Sequence, residues 1–408
     1  MITCGKRQTG GGMNSKRFGI LALVLIACLA VVAVAAIGCG SSSSSTTTTS
    51  PAASASSGGA QTANQAAAAA AYAGMTDVPT FVAPPGGAFD AKTVMAGKSI
   101  MSIPGTGTDP FYVQMENGMK QAAAAVGYPF TTWNNQGQLT QYQQGFQNGI
   151  TKKVSLIDLL AGPDPNSLKP QIDEAQKAGI EVVASHLTAF EQTVPYVDYN
   201  LPQDYTKAGR VLADWIIAHD YTAHVLVIGS DEIVSTQASH DGFVSEMAKY
   251  GPEIQYKYFN VTVPEWGTKI QPQVQSAIVA DPQLTYVACI YDAMTQFVVP
   301  GVTAANAADK VKIIGFNANP FVIDYVREGK VEMTFGDSLN WAGWAIQDAE
   351  MRILAKQDIP TNGAVGEYLN NPFRMFTVDN AAEAGVPAQF SKGFGEYQTE
   401  YKKLWGLQ

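Results

Sequence analysis

From Lys98 onward the chain repeats one pattern: a short apolar run, then a longer segment whose apolar residues recur every three or four positions. Eight runs read as strands, namely Ser99–Ile103, Phe130–Trp133, Val154–Leu160, Glu181–Ser185, Val225–Gly229, Ile254–Phe259, Tyr286–Ile290 and Lys312–Phe316. Runs of this length bounded by Gly, Pro and Asp suit strands covered on both faces. Between them lie helical patterns. Phe111–Val126 carries Phe111, Met115, Met119 and Ala122 on one side, and Ala208–His219 carries Val211, Leu212, Trp215 and Ile216. Gly242–Tyr250, Lys269–Ala280 and Trp341–Ala355 behave alike, and Gly127, Gly179 and Gly251 stand where helices should stop. Strand–helix alternation implies parallel sheets with right-handed crossovers. The number of such units exceeds one comfortable sheet. The expected fold class is therefore α/β, with two Rossmann-like, doubly wound parallel-sheet lobes.

The N-terminus reads as an address. Lys16 and Arg17 precede an apolar run from Gly19 to Ile37, which meets Gly38-Cys39. A charged region, an apolar region and small residues before a cleavage point make an export signal. It resembles a bacterial lipoprotein signal, with Ala36-Ile37-Gly38-Cys39 as the lipobox and Cys39 as the lipidated residue. Leu25-Ile26-Ala27-Cys28 is a competing box, but a linker starts directly after Cys39. The rival reading is a retained spanning anchor, for which the run is just long enough. On either reading the folded part is extracytoplasmic and tethered to a membrane. Residues 1–39 are assigned to the signal and 40–97 to a flexible linker and lead-in. From Gly40 to about Gly74 the chain is Ser, Thr, Ala and Gln with almost no charge, too little apolar area to offset its ordering entropy.

Composition narrows the function. Hydrophobic residues make up 46% and charged residues 15%, enough for large cores. The net charge of −9 and the lack of a long basic tract argue against nucleic acid as a partner. Of four cysteines, only Cys289 falls in the folded region, so no disulfide framework is available there. It reads as a small buried hydrophobe.

In open α/β sheets ligands sit beyond the carboxyl ends of the strands. The loops there are Pro104-Gly-Thr-Gly-Thr-Asp-Pro-Phe-Tyr112, Ser185-His186-Leu187, Gly229-Ser-Asp-Glu232, Tyr291-Asp292-Ala-Met294 and Gly315-Phe-Asn-Ala-Asn-Pro320. With the order Asp-Pro-Phe-Tyr, a helix ending Ala-Val-Gly-Tyr, then Gln-Lys-Ala-Gly-Ile-Glu-Val-Val and Ile-Ile-Gly-Phe-Asn, the chain resembles the periplasmic sugar-binding proteins of the ribose and galactose type. The resemblance covers roughly residues 98–379. It implies the type I periplasmic binding protein architecture, two lobes joined by three hinge strands. One lobe would be 98–201 plus 338–370, the other 202–337 plus 371–408. It also implies capture of a sugar or polyol in the interlobe cleft, by a monomer, for an ABC permease.

The resemblance carries over to particular residues. Phe111 and Trp266 stand where the family stacks aromatic rings on a sugar; core packing is the competing role for both. Tyr112 is a further aromatic candidate. Asp109 stands where the family bonds sugar hydroxyls, and it also suits an N-cap. Asn317 stands where the family grips hydroxyls, and Asp337 near its last hinge contact. Tyr291 takes the place of a ligand-binding Asn, while Asp292 is expected to cap the next helix. Two departures count. His186 and Leu187 occupy places where the family commonly has an acid followed by Arg. No Arg precedes Gly242-Phe243, and Gln237 or Ser239 fills that space. Losing two guanidinium forks removes the strongest bidentate grips, so ribose itself is not the expected ligand.

Enzyme motifs fail on inspection. Gly105-Thr-Gly107 lacks the Lys and third Gly of a phosphate loop, and no Gly-x-Ser-x-Gly elbow exists. His186, His219, His224 and His240 show no metal-ligand spacing. The expectation is a binding protein with neither catalysis, cofactor nor metal. Two rivals stay open: a receptor of this fold that signals to a membrane sensor, and a lipid-anchored carbohydrate-active α/β enzyme.

Overall fold

All eight expected strands form, and three more join them, in a computed structural model that describes residues 54–107, 109–359 and 369–407. The apolar run Gly19–Ile37 and Cys39 lie outside the described residues. The first sheet contains β1 (Ile100–Pro104), β2 (Phe130–Thr132), β3 (Leu156–Leu160), β4 (Glu181–Ser185) and β5 (Tyr199–Leu201), all parallel, in the order β2-β1-β3-β4-β5. The second contains β6 (His224–Gly229), β7 (Gln255–Asn260), β8 (Leu284–Cys289), β9 (Lys312–Phe316), β10 (Met333–Asp337) and β11 (Phe373–Phe376). Its order is β7-β6-β8-β9-β10-β11, parallel except for β11, which runs antiparallel to β10. Each sheet is the core of one lobe, and the strand order reverses between β1 and β3 and again between β6 and β8.

Alternation along the strands decides what each face meets. Met101, Ile103, Ile157, Leu159 and Val182 point one way and pack with Phe146 of α4 (Leu139–Lys152) and Ile172 of α5 (Lys169–Lys177). The neighbours Ile100, Leu156 and Leu160 belong to the other core, with Met115, Met119 and Ala122 of α3 (Pro110–Val126). Register sets Ser102 beside both Thr132 and Asp158, so a polar stripe crosses that second face.

Helix ends follow local chemistry. Asp109 Oδ1 accepts from the Phe111 amide at 2.8 Å, Pro110 opens α3, and Gly127 ends it at φ 97°. In the second lobe α6 (Tyr205–His219) crosses α7 (Val234–Tyr250), and the crossing is made of glycine. A Cβ on Gly209 would lie 1.7 Å from the Ser239 carbonyl oxygen, and one on Gly242 would lie 2.1 Å from that of Thr206. The remaining second-lobe helices are α8 (Trp266–Ala280), α9 (Thr295–Ala304) and α10 (Pro320–Arg327).

Helix α11 (Leu339–Leu354) follows β10 of the second sheet but packs on α3 of the first, with Gly118 and Gly343 at the contact. All sixteen of its residues are buried, which is why it shows no polar stripe. The chain thus passes between lobes at 201–205, at 337–339 and between α11 and β11. The last helix, α12 (Tyr397–Leu404), lies on α11. The Tyr397 ring stacks on Trp341 at 4.7 Å, and Trp405 stacks on Trp344 at 5.2 Å.

Part of the stretch read as a flexible linker is ordered. Ser54–Ala71 forms α1, which packs on α6 with Ala68 fully buried. Asn64 donates to the Tyr221 hydroxyl at 2.9 Å, and the Tyr72 ring lies 5.5 Å from that of Trp215. Alanine costs least to hold in a helix, and tertiary contact on α6 supplies what the isolated sequence lacks. A short helix α2 (Ala91–Met95), capped by Asp90, leads into β1.

Candidate functional site

The loops after β1 and β4 of the first sheet meet the second lobe at the interlobe seam. After β1, Phe111 presents its ring edge-on to His186 from the loop after β4, with centroids 5.6 Å apart. His186 meets Tyr205 at 5.7 Å, and Tyr205 meets Phe316 of the second sheet at 6.1 Å. Four rings, Phe111, His186, Tyr205 and Phe316, therefore run in edge-to-face contact from one lobe into the other. Such contacts favour perpendicular rings at these separations.

Hydrogen bonds hold the run in place. His186 Nε2 is 3.0 Å from Asp337 Oδ2, and its Nδ1 is 2.7 Å from the Tyr205 hydroxyl. A carboxylate only accepts, so Nε2 carries the proton toward Asp337, while the Tyr205 hydroxyl donates to the His186 carbonyl at 3.0 Å and lies beside Nδ1. His186 adopts φ 53°, uncommon for a residue with a Cβ though histidine tolerates it better than most. Asp337 Oδ2 also accepts from Asn371, while its Oδ1 is buried without a partner. An unpaired buried carboxylate oxygen is costly and fits an acceptor awaiting a hydroxyl.

The second lobe contributes a separate polar chain. Trp266 opens α8 and donates from Nε1 to Ser230 Oγ at 2.8 Å; Ser230 passes its proton to the Val261 carbonyl at 2.6 Å. Thr236 donates to the Ser230 carbonyl at 2.6 Å, so its oxygen is free to accept from Tyr291, 2.8 Å away, and Ser235 sits 2.9 Å from the same hydroxyl. Burial pushes the Tyr291 hydroxyl up to about 12. Tyr112 and Tyr205 are raised as well, by burial first and then by the fields of neighbouring groups that include Tyr291, so all three phenols stay protonated donors.

Asn317 is buried at φ 131°, with its amide bonded to the Phe335 carbonyl at 2.8 Å. That conformation is strained for a residue with a Cβ, and Asp292 braces the loop that bears it. Its carboxylate accepts from the Asn319 amide at 2.9 Å and from Thr334 Oγ1 at 2.7 Å. The cap expected of Asp292 is thus corrected: it ties the loops after β8 and β9 together. Burial lifts its carboxyl to about 6.

Phe111, His186, Asn317, Asp337 and Tyr291 therefore line the seam or the loops that frame it, with Tyr112 beside Phe111 at 5.1 Å. Asp109 is spent on its cap, and burial raises its carboxyl against the lowering effect of the Phe111 amide. Gln237 and Ser239 are not brought to the seam. Both lie on α7, which begins eight residues before the helix read from sequence. Gln237 is exposed and bonded to Asp241 at 2.8 Å, and Ser239 is buried in the crossing with α6. Sequence reading missed Tyr205, Ser230, Ser235, Thr236 and Asn371. Ser230 lay in the loop 229–232 already singled out, whereas Tyr205 follows β5, a strand the sequence did not show. Among the described residues, no three His, Cys, Asp or Glu side chains gather to hold a metal.

Residues 100–358 match the family described as periplasmic binding protein domain. The ribose import binding protein RbsB of Salmonella typhimurium is 23% identical over 272 residues, covering 64% of this chain and 88% of that protein. Similar solved structures include an ABC transporter solute binding protein of Agrobacterium vitis bound to α-D-tagatopyranose, at TM-score 0.62 and 22% identity, covering 72% of this chain and 99% of that one. Another is a solute binding protein of Actinobacillus succinogenes with D-allose, at TM-score 0.61 and 17% identity, covering 70% and 99%. A third is the 5-methylthioribose transporter solute binding protein of Thermotoga lettingae, at TM-score 0.63 and 16% identity, covering 80% and 100%.

Proposed function

The chain belongs to the periplasmic binding protein domain family, one of binding proteins for transporters and not of enzymes, and from that premise we propose that it captures a sugar or polyol at the interlobe seam for an ABC importer. The observation that carries this is the ring run Phe111–His186–Tyr205–Phe316 bordered by Asp337, whose second oxygen lacks a partner. Aromatic faces and edges cover the C–H surface of a sugar, while fixed polar groups take its hydroxyls. The ring-rich seam, with Leu187 where the family commonly has Arg, suits a ligand less densely hydroxylated than ribose. Relatives whose names specify ribose, D-allose, α-D-tagatopyranose or 5-methylthioribose support the class without selecting a member.

The proposed lobes are 98–201 plus 338–370 and 202–337 plus 371–408, and α12, within the second range, packs on α11 of the first. Ligand contacts made to both lobes would select the closed form, which a permease then reads. The receptor acts as a monomer held to the membrane through a lipidated Cys39. A thermal-shift screen over pentoses, hexoses and polyols tests the reading: one of them should raise Tm, increasingly with ligand excess. Trp266→Ala should abolish that rise by unseating the Ser230 loop. A screen in which no sugar or polyol moves Tm would defeat the assignment.

A further inference from the structure

The segment before β1 crosses between the lobes. Its upstream part belongs to the second lobe: the Met75 carbonyl accepts from Met375 of β11 at 2.7 Å, and the Thr76 carbonyl accepts from Arg374 at 3.1 Å and Asn380 at 3.0 Å. Its downstream part belongs to the first lobe. Phe81 lies with its ring centroid 4.9 Å from Tyr401 of α12 and 6.0 Å from Trp341 of α11. A few residues on, the Gly87 carbonyl accepts from Arg352 of α11 at 2.9 Å, and the same guanidinium lies 4.5 Å over Phe89. The Phe89 amide then bonds to the Leu404 carbonyl at 2.9 Å.

Between these anchors the chain stands off the hinge. A cleft of about 790 Å³ lies there, with Val78 and Pro79 on one wall and Gln203, Lys207, Asn371 and Phe373 on the other. The five residue steps from Thr76 to Phe81 reach at most roughly 18 Å when fully extended. Pro79 stiffens them further. A link this short cannot follow a wide rotation of one lobe against the other.

We propose that Thr76–Phe81 is a strap that limits lobe opening, and that full opening requires Phe81 to leave its place between Trp341 and Tyr401. The C-terminal segment reinforces it on a second path: the Ala388 amide bonds to Asp324 of α10 at 3.1 Å, and Tyr397 donates to Asn340 of α11 at 2.7 Å. The inference stands whichever solute the seam takes, because it concerns the range of motion and not the ligand.

The test severs the strap without removing its packing. A protease recognition sequence is inserted between Pro79 and Thr80 of the full chain. Amide hydrogen exchange is then followed at His186, bonded to the Leu201 carbonyl at 2.8 Å, and at Asn317, before and after cutting. Both amides should exchange faster after the cut, and Phe81→Ser should accelerate them in the uncut chain. The inserted chain, its link already lengthened, should fall between the parent and the cut chain, and equal exchange in the parent and cut chains overturns the proposal. So does acceleration spread evenly over both sheets, since that reports lost global stability and not lobe opening. The cut protein decides the matter if Phe81→Ser does not fold.

Discussion

Asp158 is buried on β3 with no compensating cation, in a stripe that register alone creates beside Ser102. Glu116 of α3 and Glu350 of α11 face the same stripe, and Glu350 is bonded to Gln347, which in turn accepts from Tyr128. Burial, aided by Glu116, lifts the Asp158 carboxyl to about 8 against the lowering effect of the Ser185 hydroxyl, and Glu350 is raised as well. In the unfolded chain such a group titrates near roughly 4. Between those values the folded state holds more protons than the unfolded one, so stability falls as pH rises. The contribution is fully present below about 4 and lost by the time pH passes about 8. Asp158→Asn should therefore flatten the decline of the urea midpoint between mildly acidic and mildly alkaline buffer. A decline as steep as in the parent chain would remove Asp158 as its source. At Cys39, a different single residue, lipidation is testable by Cys39→Ser: release from membranes fits a lipid anchor, and retention fits a spanning segment.

At the scale of elements, close helix contacts are set by glycine. A methyl group at Gly209 would meet the Ser239 carbonyl oxygen at 1.7 Å, and backbone there cannot rotate aside. Gly209→Ala should lower stability by about 1–3 kcal/mol, the usual cost of overpacking. Gly59, on α1, has no heavy atom within 4 Å of its would-be Cβ, so Gly59→Ala should not lower the urea midpoint. Equal losses for the two would mean that the contact at Gly209 does not set the cost, since helix propensity alone favours alanine at both sites. The same scale shows what sequence could say. Strands with dense apolar runs were legible because both faces are covered. Missed were β5, with only Tyr-Asn-Leu; β10, whose Met-Thr-Phe-Gly-Asp mixes polarity; and β11, which carries Arg374. That arginine is buried and paired with Glu383, a compensation no local pattern announces. Helix α4 has few apolar anchors, so its Gln-rich stretch gave weak periodicity. In the site, Phe111 and His186 were accessible to reading because each lies in a loop after a recognised strand, whereas Asp337 ends the missed β10 and was reached only through the resemblance. Ser235 and Thr236 were not, because their role depends on where α7 begins.

At the scale of the whole molecule, one face of the first sheet shares its core with the second sheet, while the other face keeps a core of its own. One continuous apolar cluster contains Ile100, Leu156 and Val183 of the first sheet together with Val225, Tyr286 and Ile314 of the second. It passes through α11, which leaves the second sheet and packs under the first, and through the ring run at the seam. Proteins with two lobes often melt in two steps, since each lobe can bury its own surface. Here, unfolding one lobe would strip α11 or its partners from the other and expose apolar area on both. The expected outcome in scanning calorimetry is a single transition whose calorimetric and van't Hoff enthalpies agree. A ligand closing the seam should move that whole transition upward without splitting it. Two resolved transitions would mean that the shared cluster does not couple the lobes, and ligand would then shift the peaks unequally.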